Sequence, residues 1–351
     1  MRLERAWSLI LGTLRLARQS LGLVSQHTTQ QIGNKHAMPT SSQDWPGVAP
    51  ARKSSSLKLL PNTDGLASSD GDTLHVRQAV RIVSCDTPES HYPTAGTPLS
   101  AQKKLDSCRK RLESGFFNTT LPEALRNYLL ERLTPTAGAE QIEAGKLAHQ
   151  AFEKMLKSRL KSGEKKLDLG VLPAGEIIDS YGRMLAYLTP WLKPNKNGEI
   201  PPRDSPQRKT FNLQLMEEGW AAFFPIYGSL PSKKADFLMA VQAARAAWKA
   251  NRGVWKQFGP GFLLGYEFRL CVKLGDAKQS DAKKLSATAF TRHCVDISGM
   301  TWHDVGKFDF HAVPPSDRLW YWDTDKVEAR TALGLPAAPT KTPAKKVPTK
   351  R

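Results

Sequence analysis

The segment Ser69-Asp70-Gly71-Asp72-Thr73, followed by Arg81-Ile82-Val83-Ser84-Cys85-Asp86-Thr87-Pro88-Glu89, constrains this chain more than any other stretch. Thr73-Leu74-His75-Val76 and the run from Ala79 to Cys85 are short and β-branched, and they flank Arg77-Gln78 as the arms of a tight hairpin would. That turn lacks the Gly or Asn that two-residue hairpins favour, so its geometry stays open. The hairpin and its exit turn would gather Asp72, Arg81, Asp86 and Glu89 within one short span. A second segment, Asp179-Ser180-Tyr181-Gly182-Arg183-Met184-Leu185-Ala186-Tyr187, adds an arginine from far downstream. Taken singly, Asp-Gly-Asp and Tyr-Gly-Arg are turn sequences, and Asp-Thr-Pro-Glu is a helix-start or loop signal.

The surrounding pattern alternates between strand and helix. Residues 100–134 read as helical, and Ala148, Phe152, Met155 and Arg159 share one face of a further amphipathic helix. Leu167–Val171, Glu176–Ile178 and Met184–Leu188 read as strands. A helix is expected at Phe211–Gly219, and a longer one after Ser232, its candidate N-cap, with Phe237, Val241, Ala244 and Trp248 as the buried stripe and Gly253 as its stop. This order predicts a small OB-fold, a five-stranded β-barrel with helices packed on it and a helical insertion at about 95–140. Four regions follow: an N-terminal amphipathic segment and linker (1–56), the barrel domain (57–258), an accessory β-rich module (259–333) and a disordered basic tail (334–351).

Hydrolysing a phosphodiester requires a deprotonated water, cations against the charge growing on the phosphate, and a departing oxygen. Carboxylates beside a hard cation and a pair of arginines meet the first two needs. The motif set, in its order, resembles the thermonuclease (staphylococcal-nuclease-like) family over about residues 58–256. Phe211-Asn212-Leu213-Gln214-Leu215-Met216-Glu217-Glu218-Gly219-Trp220-Ala221 and the Ala-rich stretch Ala243–Trp255 match further family segments. The resemblance implies a calcium-dependent nuclease acting on DNA and RNA, leaving a 3′-phosphate and a 5′-hydroxyl. It implies Asp72, Asp86 and the Thr87 carbonyl as Ca²⁺ ligands, and Glu89 as the base that positions or deprotonates water. It implies Arg81 and Arg183 as the catalytic arginines, and Tyr181 and Tyr227 as substrate contacts. Three departures bear on it: the hairpin between Asp72 and Arg81 is short, helical residues are inserted between Glu89 and Arg183, and Pro225 stands where a second nucleotide-contacting tyrosine is usual.

A formal net charge of +18 over 351 residues favours polyanions as partners. Four scattered cysteines, Cys85, Cys108, Cys271 and Cys294, exclude a disulfide framework or a C-x-x-C zinc site and leave packed thiols, with a Cys271–Cys294 pairing open. The apolar run near the N-terminus, interrupted by Arg15 and Arg18, is too short to span a bilayer and makes a poor signal peptide. A soluble protein inside the cell is the expectation, with Met38 an alternative start. The rival reading is an OB-fold module that binds nucleic acid or protein without cutting. A second makes residues 259–333 a partner-binding module served by the nuclease. The Trp320-Tyr321-Trp322 cluster there reads as a half-buried edge strand or a stacking platform for bases.

Overall fold

Ser84 turns the chain between two sheets, and much of the architecture follows from that one residue. In the computed structural model, β1 (Ala67–Ser68) and β2 (Leu74–His75) pair antiparallel, and β3 (Val80–Ile82) and β4 (Ser84–Asp86) follow. Ser84 has φ 60, a left-handed conformation that costs a non-glycine residue energy and redirects a strand. Before it, β3 pairs parallel with β8 (Met184–Pro190), Arg81 opposite Leu185; after it, β4 pairs antiparallel with β9 (Ala222–Phe224). The Ser84 hydroxyl shares a hydrogen bond with the Tyr187 hydroxyl at 2.5 Å, which ties the bend to β8. β7 (Leu169–Ile178) completes the first sheet in the order β3-β8-β7, with a register shift between Pro173 and Ile178.

Of residues 67–338 the structure describes all but 69–73, 76–77, 92–96, 163–164, 167 and 203; the described residues belong to one compact unit, 44–351. Asp72, the whole of the N-terminal segment and linker (1–56) and the tail beyond residue 338 lie outside them.

Among the described residues β2 and β3 do not pair with each other as the arms of a hairpin; Arg77 itself lies outside them. Gln78 Nε2 instead donates to the Gly182 carbonyl at 2.7 Å and Met184 N to the Ala79 carbonyl at 2.8 Å, so the 182–184 turn captures the chain and starts the parallel pairing. The five-stranded closed barrel is also not seen. Among the described residues the strands lie in separate two- and three-stranded sheets, because β1 and β2 pair only with each other.

Residues 98–159 hold three helices: α1 (Pro98–Glu113) and α2 (Glu123–Arg132) in the region read as an insertion, and α3 (Ala137–Arg159), which carries the expected amphipathic face. Thr97 caps α1 by accepting from Ser100 N at 3.1 Å, and a proline at the first helical position needs no N–H partner. A two-stranded ribbon, β5 (Lys161–Ser162) and β6 (Lys165–Lys166), leads to β7. The two expected strands at 167–178 are one bulged strand, because Gly175, at φ 71, supplies the bend without ending it. α4 (Phe211–Glu217) starts at Thr210, whose side chain accepts from Leu213 N at 3.1 Å. α5 (Lys234–Lys249) carries the expected stripe of Phe237, Val241 and Ala244, but its N-cap is Lys233 rather than Ser232.

Gly259 does not divide the molecule. Beyond α6 (Val254–Phe258) the apolar run Phe262–Val272, strand-like in sequence, forms α7 (Gly265–Leu274). α8 (Ala282–Ala289), the sheet β11-β10-β12 (His303–Gly306, Arg292–Asp296, Arg318–Trp322) and α9 (Lys326–Leu333) follow. Leu105, Leu129, Phe268 and Trp320 sit in one hydrophobic core, so residues 259–333 pack on the inserted helices rather than forming a purely β module. Leu335 is buried, and Trp302 bonds to both Pro336 and Ala338, so the ordered chain outlasts the expected boundary at 334. Trp320 and Tyr321 are core residues, and Trp322 alone of the three is half-exposed. All four cysteines are free and buried, and Cys271 lies against Cys108 rather than Cys294. Among the described residues no helix is long and apolar enough to cross a membrane.

Asn212 closes the gap that the bend at Ser84 opens. Fully buried on α4, it donates to the Val83 and Ala186 carbonyls at 2.9 and 3.3 Å and accepts from Leu188 N at 3.0 Å. Truncation takes the amide partner from the Val83 carbonyl and Leu188 N, while the Ala186 carbonyl keeps Val83 N at 3.2 Å, so Asn212→Ala is expected to lose about 2–3 kcal/mol of stability, read by urea denaturation. A loss below about 0.5 kcal/mol would mean that water replaces the amide.

Candidate active site

Asp86 ends β4 with a carboxylate that solvent barely reaches, 1% exposed. Such a group is tolerable only when paired. Arg81, five residues earlier on β3, donates from Nη2 to Asp86 Oδ1 at 2.7 Å. Arg269, on α7, donates from Nη2 to both Asp86 oxygens at 2.9 Å and from Nη1 to Glu89 Oε1. Burial alone would raise the Asp86 pKa; Arg269 first and Arg81 second overcome it and hold the carboxyl below its usual range. Burial would likewise weaken the Arg269 guanidinium as a base, but Asp86 and Glu89 reverse the effect and raise its pKa.

The loop from Thr87 to Ser90 that presents Glu89 is gripped from two sides. A Cβ on Gly265, at the start of α7, would come within 2.5 Å of the Thr87 carbonyl oxygen and 2.7 Å of Asp86 Oδ2. A Cβ on Gly145, in α3, would meet the Glu89 carbonyl carbon and Ser90 N at 2.6 Å. Gln141, one turn before Gly145 and fully buried, accepts from Glu89 N at 2.7 Å and donates to the Leu263 carbonyl at 2.8 Å once its amide is oriented to suit both.

Arg183 is placed by a turn. Asp179 Oδ1 accepts from Tyr181 N at 2.8 Å and Arg183 N at 2.9 Å, while Oδ2 accepts from Arg183 Nε at 2.9 Å. Burial would raise the Asp179 pKa, but the backbone and side-chain bonds from Arg183 lower it on balance. Arg183 lies over the Tyr181 ring at 5.1 Å, and that tyrosine is 76% exposed.

A cleft of about 780 Å³ brings these parts together: Arg81, Glu89, Tyr181, Arg183 and Tyr227 all line it. Asp86 lies beneath it, against Arg81 and Arg269, and Asp72 is outside the described residues. Tyr227 is nearly buried, its backbone N–H bonded to the Trp320 carbonyl at 2.7 Å. Sequence reasoning missed Arg269, Lys273 and Arg292, which line the same cleft from residues 259–333. The one available signal for Arg269 was a lone cation inside the apolar run Phe268-Arg269-Leu270, where a charge implies a buried partner.

Among the described residues, which do not include Asp72, Asp86 and the Thr87 carbonyl as arranged do not fit a calcium ion. Calcium takes six to eight oxygen ligands, yet both Asp86 oxygens already accept from Arg269 and the Thr87 carbonyl faces Gly265. A divalent cation at Asp86 would also sit beside two guanidinium groups. Among the described residues, no three His, Cys, Asp or Glu side chains converge as a metal site would need.

A family model described as staphylococcal nuclease homologue matches residues 79–257, about half of the chain. The chain is also similar to Endonuclease YhcR of Bacillus subtilis (strain 168), 25% identical over 281 residues. That match covers 79% of this chain and 18% of the relative's length.

Breaking the Arg269 tie should be costly in a pH-dependent way. Arg269→Met leaves the Asp86 charge with only Arg81, and about 3–5 kcal/mol of stability is expected to go at pH 7. The depressed native pKa of Asp86 means its contribution is complete above the unfolded value of about 4 and fades as pH falls through the native one. Denaturant unfolding should therefore show the deficit shrinking toward pH 3; a deficit equal at both pH values would mean that Asp86 is not the charge Arg269 serves.

Proposed function

The chain belongs to the staphylococcal nuclease homologue family, and we propose that it is a nuclease that hydrolyses phosphodiester bonds of DNA and RNA in the cleft beside Asp86. The observation that carries this reading is that Arg81 and Glu89 from one segment and Arg183 from another far downstream line one cleft. A phosphate seated there would meet two guanidinium forks able to bind its non-bridging oxygens and take up charge as the attacking oxygen bonds to phosphorus. Glu89, part-exposed to the cleft, is the base in this proposal: it holds the attacking water and accepts its proton. Arg269 fixes the orientation of that carboxylate, and Asp179 the orientation of Arg183. Tyr181, exposed at the rim, is a natural contact for substrate, and Tyr227 a wall of the cleft.

Calcium, which the resemblance brings with it, enters only as a competitor of Arg269 for Asp86, and no step is assigned to it. Wild-type melting temperature is expected to change little between EDTA and millimolar calcium, and to rise more with calcium in Arg269→Met. A large calcium-induced rise in the wild type that Arg269→Met fails to exceed would show that the ion does not compete with that guanidinium.

A second reading has one observation in its favour. Arg269 occupies Glu89 and both Asp86 oxygens, as it would in a module that binds nucleic acid without cutting it. Cleavage of single- and double-stranded DNA and of RNA, assayed with calcium and with EDTA, separates the two. Binding with no cleavage under either condition would sink the nuclease. If cleavage is found, Arg81→Ala and Arg183→Ala should each lower turnover about a hundredfold or more, with circular dichroism unchanged. Glu89→Gln is expected to be crippled as well, and a variant with wild-type turnover would leave the catalytic set.

A further inference from the structure

Among the described residues, Arg292 makes no ion pair. It stands on β10 directly opposite Trp322 of β12, with its guanidinium carbon 4.5 Å from the Trp322 ring centroid and 5.4 Å from that of Phe224. Its Nε is buried with no hydrogen-bond partner among them. Burial pushes its pKa down to about 10, with repulsion from Arg269 added, a smaller opposing pull from Asp86 and a smaller push again from Arg81. Lys273 is less buried but similarly placed: burial lowers its pKa, Arg292 and Arg269 lower it further, and among the described residues its ammonium bonds the Thr288 carbonyl, at 3.3 Å, and no carboxylate.

Two cations of the cleft stand outside its ion pairs. Asp86 and Glu89 are answered by Arg81 and Arg269, and Arg183 by Asp179. Among the described residues Arg292 and Lys273, lining the same space, pair with none of these carboxylates, and Asp325 and Glu328, which also line it, are not among the groups that act on either cation. The aromatic rings offset part of the cost of a buried guanidinium, but they accept none of its N–H groups. An anion with two oxygens in one plane would satisfy that fork, and a phosphodiester offers its two non-bridging oxygens.

We propose that Arg292, seated between Trp322 and Phe224 and aided by Lys273, is a second phosphate subsite that holds a non-scissile phosphodiester of a single-stranded nucleic acid. This rests on the nucleic-acid reading of the cleft. It extends that reading, because both cations come from outside the span matched by the family model. A neighbouring phosphate held here would keep the strand lying across the cleft while Arg81 and Arg183 face the phosphate that is cut.

The test uses the full chain, a labelled oligothymidylate, and Arg292→Met and Arg292→Lys, each with Glu89→Gln to stop turnover. A subsite predicts that Arg292→Met weakens binding about tenfold and lowers the salt slope of log K by about 0.7, the share of one phosphate contact on a single strand. Arg292→Lys should restore the slope while recovering only part of the affinity, since a point charge replaces a fork. Melting temperature separates ligand from scaffold: removing an uncompensated buried charge should leave the free Arg292→Met protein as stable as its parent or more so. Affinity and salt slope unchanged in Arg292→Met would overturn the proposal, and so would a fall in melting temperature large enough to explain the lost binding. Displacement of the oligonucleotide by millimolar inorganic phosphate in the parent and Arg292→Met alike would also overturn it, since the anion would then act elsewhere. Binding that depends on Arg292 in a protein that never cuts would sink the nuclease and leave the subsite standing.

Discussion

Asp86 lies beneath the guanidinium groups of Arg81 and Arg269, almost wholly out of water, and the site is organised around keeping that charge paired. Pairing at this depth is worth little in net stability but costs several kcal/mol to break. Arg269 must therefore be held as firmly as the carboxylate it serves. α7 achieves this through Glu267, which accepts from Leu264 N at 3.2 Å at the start of the helix and from Tyr128 Oη at 2.7 Å. Arg318, 1% exposed on β12, donates to the same carboxylate at 2.8 Å and to the Val313 carbonyl at 2.7 Å. Two buried ion pairs, made by α7 residues two positions apart, thus connect the β4 end, the inserted helix α2 and the C-terminal sheet.

That chain of contacts changes what counts as the functional unit. The span matched by the family model ends at residue 257, whereas the partner of Asp86 and Glu89 is at 269. α3 contributes as well, since its Gly145 and Gln141 press and bond the loop that carries Glu89. A fragment trimmed to residues 79–257 would expose the Asp86 carboxylate and free one wall of that loop. The insertion and the C-terminal residues are better understood as the outer half of the site than as appendages to it.

Much of the inner half was legible in sequence because its determinants are local. The spacing of Arg81, Asp86 and Glu89 is set by one bent strand and its exit turn, and Asp179-Ser180-Tyr181-Gly182-Arg183 is a self-contained turn that aims its own arginine. α3, α4 and α5 were legible from apolar periodicity. What could not be read was set by partners distant in the chain. The Ala79–Cys85 run looks like one strand of a hairpin, and only contact with 182–190 makes part of it a parallel neighbour of β8. Phe262–Val272 is apolar on nearly every side, which hides the 3.6-residue period and reads as strand; it is a helix because Glu267 caps it and neighbours cover it all round. Arg269 and Arg292 gave no motif because their meaning lies in what they face.

The two halves also divide the electrostatic work. Carboxylates lie low and are neutralised within the fold, so they fix geometry at a small net field. Two cations outside those pairs, Arg292 and Lys273, lie along the wall and are repelled by cationic neighbours. A strand of phosphates would relieve that repulsion as it binds, so part of its affinity would come from strain already present in the empty cleft. Folding tolerates the strain because the aromatic pair Trp322 and Phe224 holds the guanidinium without neutralising it. An acid at that position would make a more stable protein with a weaker grip on polyanions, and the aromatic wall resolves the conflict in favour of binding.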